Sequence, residues 1–160
     1  MKKIDLLFWT NALLLSGTCK SKNAWKKSDE SPEYIHRSVI EVTRVMLHDI
    51  YSPPVASRIY AYIAVAGYEA ARNGDENYLS LTGQLKGLDS IPKPEAGKQY
   101  CYSLAASHAI LTVGKILVIS EGRIETFHAG LMDEFKNTGL HLDVSENSIN
   151  YGKLTADRIL

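Results

Sequence analysis

A Ser-Pro-Pro run at positions 52–54 is the feature that most restricts how this chain folds. Neither proline has a backbone N–H, and each restricts the residue before it, so a helix arriving from the N-terminal side must end here. The same prolines can open a following helix, because first-turn N–H groups lack intrahelical partners in any case. The run therefore predicts two helices joined by a tight corner.

Residues on either side of this corner have the spacing of amphipathic helices. The first helix begins at the N-cap signal Ser31-Pro32-Glu33, and the second ends at Asn73-Gly74, a left-handed C-terminal signal. Apolar residues recur every three or four positions, at Ile35, Val39, Val42, Met46 and Ile50 and then at Val55, Ile59, Ile63, Ala66 and Ala70. The second helix is apolar or aromatic around much of its circumference and is therefore expected to be central.

Three further long helices are predicted after a turn-rich connection from Asn73 to Pro94, which we expect to hold a short helix near Tyr78 to Gln84. The third runs from Pro94-Glu95 to about Ser120, the fourth from about Arg123 to Asn137, and the fifth starts with Ser145 as its N-cap. The sequence has no alternating strand pattern and no internal repeat. The predicted fold is all-α, a helical bundle of about five helices.

The last helix is still within its apolar pattern where the sequence stops, at Ile159 and Leu160. No glycine, asparagine or proline closes it, as would be usual for a helix that ends there. We therefore expect the bundle to be an incomplete half of a larger one. Exposed apolar surface on the third and fifth helices would follow.

The composition is that of an ordinary globular domain, with 45% hydrophobic and 22% charged residues. Basic and acidic side chains balance at 18 each, so no basic excess points to nucleic acid as a partner.

The first 18 residues are predicted to be a signal peptide. Lys2 and Lys3 precede an apolar stretch from Leu6 to Leu15, which is far shorter than the roughly 20 residues that span a bilayer. Cys19 follows the small residues Ser16 to Thr18, as at a bacterial lipoprotein cleavage site. We expect residues 19–30 to be a tether, residues 31–160 to be the helical domain, and the product to be an exported periplasmic lipoprotein anchored to the membrane by Cys19. The alternative is an uncleaved first helix with Cys19 as a plain thiol.

Cys101 is the second of two cysteines and lies in an apolar stretch. If Cys19 is acylated, Cys101 has no partner for an intrachain disulfide. The expected role is that of a buried, inert thiol.

Residues 49–62 read Asp-Ile-Tyr-Ser-Pro-Pro-Val-Ala-Ser-Arg-Ile-Tyr-Ala-Tyr, and Ala66, Tyr68, Glu69 and Ala70 follow. This run resembles the N-terminal helices of exported bacterial vanadium-dependent haloperoxidases, in the type 2 phosphatidic acid phosphatase superfamily. The resemblance extends from about Trp25 to Leu160 through shorter segments: Tyr78 to Leu81, Gly83 to Leu85, Leu104 to Ala106, Ser148, and Tyr151-Gly152.

The resemblance implies a large helical bundle that holds vanadate, or phosphate in the phosphatase relatives, between clustered cations and a histidine. In the family these groups come from a lysine seven residues ahead of an Arg-Pro pair, a Pro-Ser-Gly-His run, and a Ser-Arg pair followed by histidine and aspartate. None of these is present. Ser57-Arg58 matches in part, but Ala64 stands where the histidine is required. No catalytic, cofactor-binding or metal-binding residue is therefore assigned, and vanadate is implied only for a full-length member.

Several other charged residues and histidines have spacings that could indicate a site. Glu33/His36 and Glu125/His128 have the Glu-x-x-His spacing of di-iron bundles, but surface or capping roles are favoured over a metal site. His108 is expected to be a core histidine. Glu69 is spaced to pair with Arg72. Arg58 is expected to orient the helix pair by bonding a helix-end carbonyl or Asp49, with a contact to a substrate entrance as the alternative.

Two functions are compatible with these features. In the first, the chain is the helical scaffold of an exported haloperoxidase or acid-phosphatase-like protein, inactive alone and completed by a missing C-terminal catalytic half. In the second, it is a stand-alone, non-catalytic helical lipoprotein that acts as a binding or structural module. The sequence leaves open whether the chain is an enzyme, and whether its reaction would be that of a peroxidase or of a phosphatase.

Overall fold

The computed structural model describes residues 25–29 and 31–160. The predicted signal peptide and Cys19 lie outside these residues. After one helical turn at Lys26–Asp29 come five long helices: α1 (Glu33–His48), α2 (Pro53–Ala71), α3 (Tyr102–Leu117), α4 (Glu121–Asn137) and α5 (Leu142–Ile159), with a 3₁₀ turn at Arg72–Gly74 after α2. The all-α prediction and the number of helices are confirmed, and the described residues contain no strand.

The corner between α1 and α2 forms where the two prolines predict it. Pro53 and Pro54 open α2, and the amides of Val55 and Ala56 both bond the carbonyl oxygen of Ser52. Ile50, just before the corner, has a φ of 56°, although a β-branched residue is strained in that conformation.

Two predicted helix starts were wrong, and a predicted short helix is absent. The third helix begins at Tyr102 rather than Pro94, because the backbone at Gly97 is left-handed with φ of 82° and cannot continue a helix. The fifth begins at Leu142, and the amide of Ser145 already bonds the carbonyl of His141 within its first turn. Residues 78–81 have no regular structure and residues 82–84 lie in a turn, so the short helix expected near Tyr78 to Gln84 does not form.

The most central helix is α3, which has more neighbours than the predicted central helix α2. Helices α1, α2, α4 and α5 all pack against α3, and its buried residues cover most of its circumference. Around it, α4 neighbours α1, α1 neighbours α2, and α2 neighbours α5. Within the described residues α4 and α5 make no close approach, so the ring around α3 is open between them.

The contact of α5 with α3 is a close approach of backbones. A Cβ atom added at Gly152 would overlap the carbonyl group of Ala105. Where α3 crosses α1, a Cβ at Gly114 would lie 2.6 Å from a methyl group of Val42. Only glycine fits at either crossing without moving its neighbour.

Asp49, at the C-terminal end of α1, accepts hydrogen bonds from a distant part of the chain. Its carboxylate accepts the N–H groups of Ile119 and Ser120 at 2.9 and 3.0 Å, and the Ser120 hydroxyl donates to it as well. Burial alone would raise the pKa of Asp49, but these hydrogen bonds from Ser120 and Ile119 hold the pKa below its ordinary value. Asp49 thus joins the end of α1 to the short connection between α3 and α4.

Several large apolar side chains remain exposed. Those on the third and fifth helices are Ile116, Leu142, Leu154 and Leu160, and the ends of α1 and α3 add Leu47, Ile50 and Ile119. In the part of the chain described, none of the helices has the length and hydropathy needed to span a bilayer.

Candidate functional site

Glu69 is a fully buried carboxylate at the C-terminal end of α2. Arg72 donates to it at 2.8 Å, which confirms the predicted pairing. The backbone N–H of Leu81 donates at 2.6 Å, and the Ser80 hydroxyl lies 3.1 Å from both of its oxygens. Because its oxygens are engaged, Glu69 holds the loop at residues 80–81 against α2 and has no free oxygen for a catalytic proton transfer.

Tyr151 connects α5 to the same end of α2. Its hydroxyl donates to the carbonyl oxygen of Glu69 at 3.1 Å and accepts the side-chain amide of Asn73 at 2.5 Å. Its ring meets those of Tyr100 and Tyr102 edge-on, with centroids 5.7 and 6.5 Å away. The network is structural, since every polar group in it bonds another part of the chain.

His108 is half-buried and hydrogen-bonded, as expected for a satisfied core histidine, and its partner is a second histidine. Its Nδ1 lies 2.9 Å from Nε2 of His128 across the α3–α4 contact, and both rings are half-buried. Burial first, and then His128 and Lys153, lower the pKa of His108 to about 4. Burial, followed by Lys115, lowers the pKa of His128 as well. Both rings are neutral near pH 7, so one donates its ring N–H to the other.

The two Glu-x-x-His pairs do not act as ligand pairs. Glu125 forms an ion pair with Lys115, while His128 bonds His108. Glu33 and His36 are both exposed on the first turns of α1. Among residues 25–29 and 31–160, no group of three histidine, cysteine or acidic side chains could hold a metal ion.

Cys101 is buried, as predicted, with 1% of its surface exposed. Burial first, and then the nearby Asp29, raise the pKa of its thiol to about 12. A thiol that stays protonated at physiological pH is a poor nucleophile. The inert role expected for Cys101 fits this environment.

Arg58 is exposed on α2 and does not take the predicted partner. Asp49 bonds Ile119 and Ser120, and the Arg58 guanidinium lies over the ring of Tyr62, 5.9 Å from its centroid. The neighbouring Ser57 hydroxyl bonds the carbonyl of Pro54 within the same helix. Ser57-Arg58 therefore forms no part of an oxyanion site.

The surface of the described residues includes the following two clefts. The first has a volume of about 340 Å³ and lies between α2, the loop at residues 85–88 and the end of α5; its walls are Ala61, Tyr62, Val65, Leu85, Lys86, Gly87, Leu88, Arg158 and Ile159. The second, of about 580 Å³, lies near the start of α3 and is lined by Asp29, Ile35, Tyr68, Ala71, Arg72, Gly74, Asp75, Tyr78, Tyr102 and Ser103. Its one cation, Arg72, is already held by Glu69, and it contains two carboxylates.

Vanadate would need several cations and a histidine around one point, and the described residues do not bring these together. No histidine lines the first cleft, where Lys86 and Arg158 lie. The cations beside the histidine pair, Lys115 and Lys153, form ion pairs with Glu125 and Asp157. These residues do not fit the family's anion.

A comparison with solved structures finds a clear relative. The chain is similar to the crystal structure of a bacterial vanadium-dependent iodoperoxidase, with 42% sequence identity and a TM-score of 0.74. The match covers 80% of this chain but 30% of that one, so this chain spans less than a third of the length of its relative. Neither a protein-family model nor a curated protein matches the chain.

Identity at this level over most of the helices extends well beyond the Ser-Pro-Pro corner that first indicated the resemblance. The arrangement of α1 to α5 is thus shared with that enzyme as well as the sequence. This chain carries a helical region of the bacterial vanadium-dependent haloperoxidase family.

Proposed function

We propose that this chain is the N-terminal helical scaffold of an exported vanadium-dependent haloperoxidase and that it has no turnover alone. The proposal is carried by the 42% identity to a bacterial iodoperoxidase over 80% of the chain. The lack of turnover rests on the sequence, which contains no Arg-Pro pair and no Pro-Ser-Gly-His run. In this role the chain's own residues supply packed helices and fixed loops, while the groups that grip the anion belong to other segments.

Assays of activity and of anion binding test the proposal that the chain has no turnover alone. The purified chain is incubated with vanadate, iodide and hydrogen peroxide, and vanadate binding is followed separately by vanadium-51 NMR. We expect neither iodide oxidation nor binding, because an oxyanion needs clustered donors with free charges. Stoichiometric vanadate uptake or measurable turnover would refute it. A parallel assay with a phosphate monoester covers the phosphatase chemistry of the superfamily.

Reconstitution tests the proposal that the chain is the N-terminal helical scaffold of a haloperoxidase. The part of the iodoperoxidase that lies outside the match is produced alone and then together with this chain. If the chain is a scaffold, iodide oxidation appears only in the mixture. A Gly152→Val variant is the matched control, because it disturbs the α3–α5 contact without touching any anion donor. Equal activity with the variant, or none with the native chain, would contradict the scaffold role.

We propose further that the chain is exported and anchored through a lipid on Cys19, a residue outside the described part of the structure. Expression in a bacterium fed an alkyne-labelled fatty acid should label the native chain and place it in the membrane fraction. Cys19→Ala should abolish both, while Cys101→Ala should leave both unchanged, since the Cys101 thiol is buried and protonated. Labelling of Cys19→Ala would exclude this anchor.

A stand-alone helical module is the alternative, and the continuous core shared by all five helices favours it. A module that folds alone should unfold in one sharp thermal transition as a monodisperse monomer. Aggregation and a broad transition would favour the scaffold. Iodide oxidation in the reconstituted mixture would exclude the stand-alone module, whether the thermal transition is sharp or broad.

A further inference from the structure

The cleft between α2 and the end of α5 is lined by both apolar and positively charged side chains. Its inner wall is apolar and contains Val65 and Leu88, with Ile159 beside them. Two cations, Lys86 and Arg158, also line it, and none of its lining residues is acidic. At about 340 Å³ it lies at the lower end of the range of small-molecule sites, roughly 300–1,000 Å³.

The cations at this cleft have no carboxylate partner among the residues that the structure describes. Arg158 donates to the neutral hydroxyl of Ser90 at a long 3.5 Å, and Lys86 is exposed. Arg58 adds a third positive charge beside the cleft through its position over the ring of Tyr62. In contrast, Lys115 on α3, Lys136 on α4 and Lys153 earlier on α5 all form ion pairs.

We propose that this cleft binds a small amphipathic organic anion, whose carboxylate meets Lys86 and Arg158 and whose apolar body packs on Val65, Leu88 and Ile159. Arg158 is half-buried, so its contact with a carboxylate is less screened than one on an open surface. Its planar guanidinium can take both carboxylate oxygens, which a lysine cannot do.

Calorimetric titration of the purified chain with sodium octanoate, below its micelle concentration, tests the proposal. We expect one equivalent to bind, and binding to weaken as salt is raised. Lys86→Gln and Arg158→Gln should each weaken binding by about tenfold, the effect of losing one charge-assisted hydrogen bond. Lys136→Gln is the matched control and should bind as the native chain does, since Lys136 lies on α4.

Two further ligands separate the contribution of the ligand's charge from that of its apolar body. Acetate, which carries the charge without the apolar body, and 1-octanol, which carries the body without the charge, should both bind much more weakly. Equal binding of either would overturn the assignment, and so would unchanged octanoate binding in both charge variants. If Arg158→Gln fails to fold by circular dichroism, Lys86→Gln decides alone, because the Lys86 side chain is exposed and supports no core contact.

Discussion

Helices α4 and α5 both pack on α3, but they are held there by different means. At α5 the backbones almost touch at Gly152, and Ser148 and Tyr151 bond buried groups of other elements. At α4 three buried apolar residues are supplemented by side-chain pairs that are partly exposed: Arg37–Glu134, Lys115–Glu125 and His108–His128.

Two kinds of interaction therefore stabilise the same core: close packing at α5 and pairs of ionisable side chains at α4. Close packing hardly depends on pH or salt, while pairs of ionisable side chains depend on both. The contact of α5 with α3 should therefore be weakened by substitutions that change side-chain volume and hardly by pH or salt. The contact of α4 with α3 should weaken when pH or salt is changed. Four predictions test this comparison.

The largest effect is expected at the α3–α5 contact. Gly152→Val places a branched side chain against the backbone of Ala105, so the two helices must separate. We expect the free energy of unfolding to fall by more than about 3 kcal/mol, or the folded state to be lost. Urea denaturation followed by circular dichroism measures it.

Gly130→Ala is the matched control on α4. A Cβ there meets nothing within 4 Å, and alanine suits a helix interior better than glycine by about 1 kcal/mol. This variant should be more stable than the native chain. Similar losses in both variants would show that the contrast between the two contacts is false.

The second effect concerns the buried glutamate. Glu69→Ala removes the partner of Arg72 and the acceptor of the Leu81 amide. We expect a loss of about 2–3 kcal/mol, together with faster hydrogen exchange at residues 80–82. Glu76→Ala, at an exposed position of the same connection, should cost almost nothing. Unchanged exchange in Glu69→Ala would mean that the loop is held by other contacts.

The third effect is a pH dependence at the α3–α4 contact. The pKa of His108 is lowered from 6.5 to about 4, so the unfolded chain binds more protons between these values. Stability from this source is present above pH 6.5 and is lost as the pH falls toward 4, by an amount on the order of 2 kcal/mol. Lys115, Glu125, Lys153 and Asp157 carry the charges around the pair.

Urea denaturation at intervals from pH 7 to 4.5 measures this slope. Replacing both histidines, as His108→Phe with His128→Leu, should remove it. His36→Gln should preserve it, because His36 is exposed and far along the chain on α1. Asp49 and Glu134 have lowered pKa values and lose their contributions only in more acidic solution. A slope that survives the double replacement would rule out the histidine pair as its source.

The smallest effect is expected for the bidentate pair of Arg37 with Glu134, at 2.6 and 2.7 Å. Because these side chains are 33% and 45% exposed, a double-mutant cycle should give a coupling of less than about 1 kcal/mol. The coupling should decrease further in high salt. A larger, salt-independent value would make α4 as firmly attached as α5.

The helices could be predicted from the sequence because their signals are local. Apolar spacing and the Ser-Pro-Pro corner give α1 and α2 almost to the residue. The starts of α3 and α5 were missed, because Pro94-Glu95 and Ser145 carry good start signals that the remaining structure does not use. That α3 has more neighbours than α2 was not predicted, since periodicity measures how apolar a helix is but not how many neighbours it has.

The side-chain networks depend on tertiary contacts and were harder to predict. The Glu69–Arg72 pair is separated by one helical turn and was predicted. The pairing of His108 with His128 joins residues on different helices, and no spacing rule could bring them together. The cationic cleft was missed for the same reason, because Lys86 and Arg158 are far apart in the chain.

The opening between α4 and α5 has a mechanical consequence. A ring of helices that is interrupted at one place can widen there without any segment passing through another. Among the residues described, helix α4 packs on α1 and α3 but not on α5, so a displacement of α4 would break those two contacts and leave the mutual contacts of α2, α3 and α5 intact. The fold thus has a block of three mutually packed helices, with α4 resting on one side of it against α1 and α3.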